Sequence, residues 1–382
     1  MADFKILRDL LDTMVGKYYP GIDMCIYKEH KPIFRYQAGY SDMENKIPVD
    51  PKSLYYLFSC SKPITCTAAL QLFEKGEFLL TDPVYEYLPE FKDVTVREVD
   101  EKGNERFVAP KRPIIIRDLF TMTAGLDYDL NMEPIKEAIK ATNGKNPTRE
   151  IVAAMAKKPL SFHPGEKYQY SLCHDVLGAL IEVVSGKKLG EYMKENIFDP
   201  CGMENTGFKV TPEIKSRIAP QYNTVGDERK IERVNPLWNP YIFGEDSDYE
   251  SGGAGLVSCV DDYVKFADAM ANGGVSATGN RILSPRTIDV MRTPFVPQAM
   301  HNTGKAQEGY AYGLGVRTFQ HPEIAGQLSN IGEFGWDGAA SSYVIIDPAE
   351  KLAVFAGEHI LGGYNHEGGA RFTNAIYTAL YS

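Results

Sequence analysis

No apolar run in this chain approaches the length of a membrane span. Its opening residues, Met1-Ala2-Asp3-Phe4-Lys5, have none of the apolar core of a secretory leader. A cytoplasmic location is the expectation. Positive charge is in deficit: 41 Lys and Arg face 51 Asp and Glu, for a net charge of −10. That balance argues against nucleic acid or an anionic membrane as partner. The six cysteines (Cys25, Cys60, Cys66, Cys173, Cys201, Cys259) are scattered, with no C-x-x-C pair and no Cys/His ligand spacing. Buried free thiols are expected in preference to disulfides or zinc. The seven histidines, His163, His174 and His359 among them, also lack metal-ligand spacing, so neither a metal nor a cofactor is called for. There is no Gly-x-Ser-x-Gly elbow on which a Ser-His-Asp triad could be built. Internal repeats, low-complexity linkers and a clean domain boundary are missing too.

What is present describes a globular protein: 43% hydrophobic and 24% charged residues over 382 positions, more than a single small core accommodates. Helical spacing of Phe4, Leu7, Leu11 and Met14 predicts an amphipathic helix over 3–18. Two strands, 23–28 and 33–38, follow around a polar turn, and 94–108 reads as a hairpin turning at Gly103. From about 130 to 205 the pattern is helical, clearest where Leu172, Val176, Leu177, Leu180, Val183 and Val184 recur and Gly186 stops them. Residues 206–250 read as irregular and cleft-lining, and 251–255 as a glycine-rich turn into a helix over 260–270. Strands are predicted at 313–317, 342–347 and 352–358, and a closing helix at 370–381. Strands at both ends with helices between imply an α+β fold. Its antiparallel sheet draws on both termini, is flanked by helices and carries a mostly helical insertion. The approximate division is 1–75 with 255–382 for the sheet region and 76–254 for the helical region.

The chemistry-bearing stretch is Phe58-Ser59-Cys60-Ser61-Lys62-Pro63. Ser59 and Lys62, three apart, share one face of a helix start. Pro63 has no N–H for the carbonyl of residue 59, so regular helix should not run far back past Ser59. The serine then stands at the helix tip, where free N–H groups and the dipole favour developing negative charge, with a lysine one turn on as proton acceptor. Cys60 is a rival nucleophile, but thiols in such settings are more often buried. Ser-x-x-Lys alone is weak, since a chain this long holds roughly one by chance at average usage. A second, Ser185-Gly186-Lys187-Lys188, reads as a solvated turn after a helix.

Three separated signals share one order: the 58–63 stretch, Tyr170-Ser171-Leu172, and Gly335-Trp336-Asp337-Gly338-Ala339 on a predicted strand. Together they resemble the serine β-lactamase and penicillin-binding-protein superfamily, most closely class C β-lactamases and their esterase relatives. Connecting phrases such as Leu79-Leu80-Thr81-Asp82-Pro83-Val84, Pro164-Gly165-Glu166 and Ile346-Asp347-Pro348 extend the likeness along essentially the whole chain. The resemblance implies a β-lactamase/transpeptidase-like fold and an acyl-enzyme on Ser59. Lys62 would help deprotonate the serine, and Tyr170 would share that role and pass a proton to the leaving group. The oxyanion hole would be the backbone N–H groups of Ser59 and Ala339, with Gly338 allowing close approach. Tyr128, Leu172, Trp336, Asp337 and Gly338 would line the substrate. Without the resemblance, Tyr170 is one of 23 tyrosines packed before a helix, and Trp336 is ordinary strand core.

Two departures bear on substrate. The lysine of the terminal Lys-Thr-Gly, which helps bind a substrate carboxylate in β-lactamases and DD-peptidases, is here Trp336, with an indole donor and no charge. The asparagine of Tyr-x-Asn is Leu172, with no polar atom. Each missing charged hydrogen bond forfeits roughly 1.5–3 kcal/mol, and both substitutions occur in the esterase branch. The expectation is a serine esterase on small acyl esters. Its alternatives are a β-lactamase, a D-amino-acid peptidase or acyltransferase, and a penicillin-recognising binding module with little turnover. The partner is a small-molecule ester or amide.

Overall fold

The computed structural model describes residues 3–226, 228–234, 242, 244, 246–296, 308–362 and 365–382. Helix α1 (Lys5–Asp12) is shorter than the predicted 3–18, yet Phe4, Leu7, Leu11 and Met14 are all buried. The face is as its spacing implies, although residues 3–4 and 13–18 are non-helical. Strands β1 (Gly21–Lys28) and β2 (Lys31–Asp42) form the expected hairpin, with Glu29 and His30 both at positive φ in a tight turn. Short strands β3 (Ile47–Pro48) and β4 (Tyr55–Tyr56) lead to helix α2 (Ser61–Glu74). The hairpin of β5 (Val96–Val99) and β6 (Glu105–Val108) is the predicted excursion. Helices α3 (Ile116–Phe120), α4 (Glu133–Ala141), α5 (Thr148–Met155) and α6 (Cys173–Ser185) follow, the last stopped by Gly186 in the left-handed region.

Two regions differ from the sequence expectation. Residues 206–250, read as irregular, contain a helix at Pro212–Arg217 and the hairpin β7 (Tyr222–Val225) with β8 (Lys230–Arg233). Its pairing extends from Tyr222 to Ile360, far along the chain, and local sequence carries no trace of that. Residues 235–241 of this stretch lie outside the described residues. The strand expected at 313–317 is instead a turn between β10 (Tyr310–Tyr312) and β11 (Arg317–Phe319), after β9 (Val257–Ser258) and the helix Val260–Ala271. A side chain at Gly313 would meet the Met291 carbonyl at 2.3 Å, and Gly315 stands at φ +81. Strand continuity breaks there because the backbone must bend over α2.

With β12 (Phe334–Asp337), β13 (Tyr343–Asp347) and β14 (Leu352–Gly357), the sheet reads β10-β11-β12-β13-β14-β1-β2-β3, antiparallel throughout. The sheet therefore closes at the β14–β1 pair, joining the two ends of the chain. Both faces are covered, so the central strands are near-continuously apolar. Ile22, Met24, Ile26, Ile345 and Val354 pack with Leu7, Leu11, Phe372 and Ile376 of α1 and the closing helix Asn365–Leu380. Cys25, Val344, Ile346 and Phe355 join the other face, against the helix Val260–Ala271. Helix α2 packs against α6 and touches β12, and residues 61–72 are buried all round. Thr65, Ala68, Ala69 and Leu72 are thus part of a fully enclosed central helix and not of a single buried stripe.

Candidate active site

β4 delivers the chain to a sharp bend. Phe58 adopts the left-handed region at φ 46, and 58–60 form one 3₁₀ turn before α2 begins at Ser61. A non-glycine residue there costs about 1–2 kcal/mol, and Phe58 is held by being buried. Ser59 precedes the α-helix by a single turn, as Pro63 dictates, and is 8% exposed; Lys62 is fully buried.

Two groups converge on the serine. Lys62 Nζ donates to Ser59 Oγ at 3.0 Å and to the Gly253 carbonyl at 2.6 Å, and the Tyr170 hydroxyl donates to Ser59 Oγ at 2.6 Å. Tyr170 comes from the loop just before α6, 111 residues along the chain from Ser59. Its ring is held in a stack: Tyr128 lies on one side at 5.5 Å and 3°, Trp336 at 5.9 Å and 16°. Tyr312 meets Trp336 edge-on at 5.2 Å, and Tyr168 does the same to Tyr312 at 5.1 Å. Lys62 Nζ stands 4.8 Å from the Tyr170 ring centre and 5.8 Å from that of Tyr128.

Gly338 brings the end of β12 to the serine turn. A side chain there would lie 2.4 Å from the Leu57 carbonyl, so only glycine lets the two backbones meet. Ala339 follows in an exposed turn, and Asp337 is half-buried at the strand end. Leu172 differs from its fellows: it is 2% exposed and lines a small recess with Leu126, Asp127, Met132, Met155 and Lys158. The structure thus gathers Ser59, Lys62, Tyr128, Tyr170, Trp336 and Gly338 into one place and turns Leu172 into the helical core.

Burial pushes the Tyr170 phenol above its ordinary value, although its hydrogen bonds with Ser59 and Trp336 work the other way. It enters the chemistry as a neutral hydroxyl. Burial, aided by the nearby Lys62 charge, holds His174 down at about 3, so this imidazole is neutral at working pH. Its Nε2 faces the Phe120 carbonyl at 3.2 Å. All six cysteines are free and buried. Burial drives the Cys60 thiol well up, and its Sγ points at the Ser342 carbonyl at 3.4 Å, away from a nucleophile's role. No group of three or more His, Cys, Asp or Glu side chains arranged to hold a metal occurs among the described residues. No helix among them is long and apolar enough to cross a membrane.

Sequence reading missed Gly253, whose carbonyl holds Lys62, and the acceptor behind it, Asp175, which is buried on α6. The 251–255 turn is recognisable as glycine-rich, but nothing local says which carbonyl meets a lysine 191 residues away. Tyr312 and Tyr168 were missed as well. Their relation to Trp336 depends on the long-range pairing that sets β10 two strands from β12.

An antiparallel sheet built from both chain ends, a central helix and a Ser-Lys-Tyr cluster at that helix's start define a serine hydrolase. The chain belongs to the Beta-lactamase family, whose model matches residues 7–357. It is similar to the esterase EstB of Burkholderia gladioli, with 29% identity over 372 residues, 92% of this chain and 88% of that one. A putative D-alanyl-D-alanine carboxypeptidase of Salmonella typhimurium is 26% identical over 386 residues, covering 93% and 81%. Among solved structures, EstCE1, "a hydrolase with promiscuous acyltransferase activity", superposes with a TM-score of 0.78 at 25% identity, covering 99% of this chain and 98% of that one. The fold is that of the serine β-lactamase and penicillin-binding-protein superfamily, in which an esterase branch is represented.

Proposed function

We propose that the protein is a carboxylesterase acting on small, uncharged acyl esters through an acyl-enzyme at Ser59. The observation that carries this reading is the convergence of Lys62 Nζ and Tyr170 OH on Ser59 Oγ, under a wall of aromatic rings where a carboxylate-binding cation would otherwise stand. Lys62 in its amine form takes the serine proton as Oγ attacks the acyl carbon. The oxyanion is met by the N–H groups of Ser59 and Ala339, and by the positive end of α2. Tyr170, linked to the same oxygen, passes a proton to the departing alkoxide and takes one back from the Lys62 ammonium, which returns both groups to their starting states. The products are an alcohol and an acylated serine. Water then attacks the acyl group, returning a carboxylic acid and free Ser59. A wall of Trp336, Tyr128 and Tyr170 suits apolar acyl chains and carries no charge to meet a carboxylate.

The test is a burst experiment with p-nitrophenyl acetate. One equivalent of rapid release followed by steady turnover is expected, and Ser59→Ala should remove both. A burst with no turnover would make the protein an acylated binding module. Rapid nitrocefin hydrolysis would show that Trp336 does not restrict the site as argued. The acyltransferase variant of this reading is supported by the likeness to EstCE1 and is scored by adding an alcohol acceptor and measuring ester formed against acid formed.

A further inference from the structure

Behind the lysine lies a buried carboxylate that the chemistry above does not use. Asp175 sits in the first turn of α6 and is 2% exposed. Its Oδ1 accepts from the Tyr249 hydroxyl at 2.7 Å and from Ser251 Oγ at 2.6 Å. No Lys, Arg or His forms an ion pair with it among the described residues. A buried carboxylate held by hydroxyls alone is expensive to keep, so its surroundings are informative.

Those surroundings are the glycine turn that touches Lys62. Ser251 opens the turn, and Gly253, two residues on, supplies the carbonyl that binds Nζ. A side chain at Gly253 would lie 2.5 Å from Asp175 Oδ2 and 3.6 Å from Lys62 Nζ. The carboxylate and the lysine therefore face each other across one glycine. The same turn is stitched to α2 twice more: Thr65 Oγ1 donates to the Gly252 carbonyl at 2.7 Å, and the Leu256 N–H donates to Ser61 Oγ at 3.1 Å. A side chain at Gly252 would strike the His174 carbonyl at 2.5 Å, so α6 presses directly on the turn.

We propose that Asp175 is a positioning residue for the acylation step. Through Tyr249 and Ser251 it anchors the 251–255 turn, so that the Gly253 carbonyl holds Lys62 Nζ at hydrogen-bonding distance from Ser59. Its carboxylate also faces the cation formed when Lys62 takes the serine proton. The inference rests on the acyl-enzyme reading but adds a requirement of its own. Asp175→Asn keeps the shape and the acceptor oxygen while removing the charge. The double variant Tyr249→Phe, Ser251→Ala keeps the charge while cutting the anchor.

The experiment is stopped-flow acylation by p-nitrophenyl acetate on the full chain, with burst amplitude, KM and thermal midpoint measured on the same samples. Asp175→Asn is expected to slow acylation on the order of 100-fold, leaving the substrate dissociation constant fitted from the concentration dependence of the acylation rate near that of the parent. The double variant is expected to fall by about tenfold. An unchanged acylation rate in Asp175→Asn overturns the proposal. So does a loss of burst amplitude with the rate per acylated site unchanged, which would mark a purely structural role. Should Asp175→Asn not fold, the double variant decides: a slowed rate supports the proposal and an unchanged one overturns it. Ser59→Ala, run alongside, keeps the two readings apart. If it retains a burst, the acyl-enzyme reading itself fails; if it loses the burst while Asp175→Asn acylates normally, only the positioning role fails.

Discussion

The chain carries the same four-residue pattern at 59–62 and at 185–188, and the structure puts the two copies at opposite ends of helices. Ser59 stands before the amino end of α2, buried, with a buried lysine and a tyrosine on its oxygen. Ser185 is the last residue of α6, its Oγ turned back onto the Ile181 carbonyl at 2.6 Å. Gly186 then takes the left-handed region, and Lys187 pairs with Glu195 near the surface. A helix start supplies unsatisfied N–H groups and positive potential to an alkoxide, whereas a helix end supplies carbonyls and the opposite sign. The pattern is shared, and the direction of the helix it borders decides what it can do.

The largest effects should separate the two copies outright. Ser59→Ala and Lys62→Ala are each expected to cut ester turnover on the order of 10⁴-fold or more, while Ser185→Ala and Lys188→Ala stay within about twofold, surface changes being nearly neutral; side-by-side kcat/KM values check this. Loss of comparable activity from the 185–188 variants would break the comparison.

Next in size, Tyr170→Phe removes one hydroxyl from a stacked ring and should lower kcat by about 10²–10³-fold. The thermal midpoint should hardly move, because the Tyr128–Tyr170–Trp336 stack remains. Gly338→Ala should cost about 100-fold in acylation rate, since the new methyl meets the Leu57 carbonyl and pushes the oxyanion-side strand away.

The smallest prediction concerns pH and is read in stability. His174 lies behind Lys62 and is held at about 3 when folded, against an ordinary value of 6.5. The unfolded chain therefore binds the extra proton first, and between about pH 6.5 and 3 stability falls as pH falls. Fully expressed, the effect is on the order of a few kcal/mol. His174→Gln should flatten that acid slope without creating or removing a limb near pH 6.5 in the activity profile. Thermal midpoints of both proteins at pH 7 and pH 4.5 provide the check.

Much of this arrangement was legible in the residues. The β1–β2 turn, the stop at Gly186 and the helix break imposed by Pro63 are local chemistry, and they lie where the sequence implies. Ser59, Lys62, Tyr170 and Trp336 were recoverable because each carries a functional group in a recognisable phrase. Other features depend on distant pairing. The ladder between β7 and the short strand Ile360–Leu361 joins Tyr222 to Ile360, and the β10–β11 turn exists because Met291 approaches Gly313. Asp175 was hidden for a subtler reason: an acidic residue in the first turn of a helix is ordinary there, so only its burial against the Gly253 turn marks it out. Leu172 shows the converse, a residue found by motif that the fold spends on packing.

The closure of the sheet at β14–β1 has a consequence for how the protein is made. Residues 23–28 pair with 352–357, so β1 leaves the ribosome long before its partner strand is synthesised. At about 5–20 residues per second the wait is on the order of tens of seconds. During it, the β1–β2 hairpin carries an unpaired edge and an apolar face without its closing helix, the kind of surface that invites pairing with another nascent chain. Serine, lysine and tyrosine all precede β14, yet the Trp336 strand is framed by β13, which pairs with that strand. Enzymatic activity in a translation reaction should therefore appear only after the last strand emerges. Chaperones that shield strand edges should raise the active yield more than they raise the total amount of chain made.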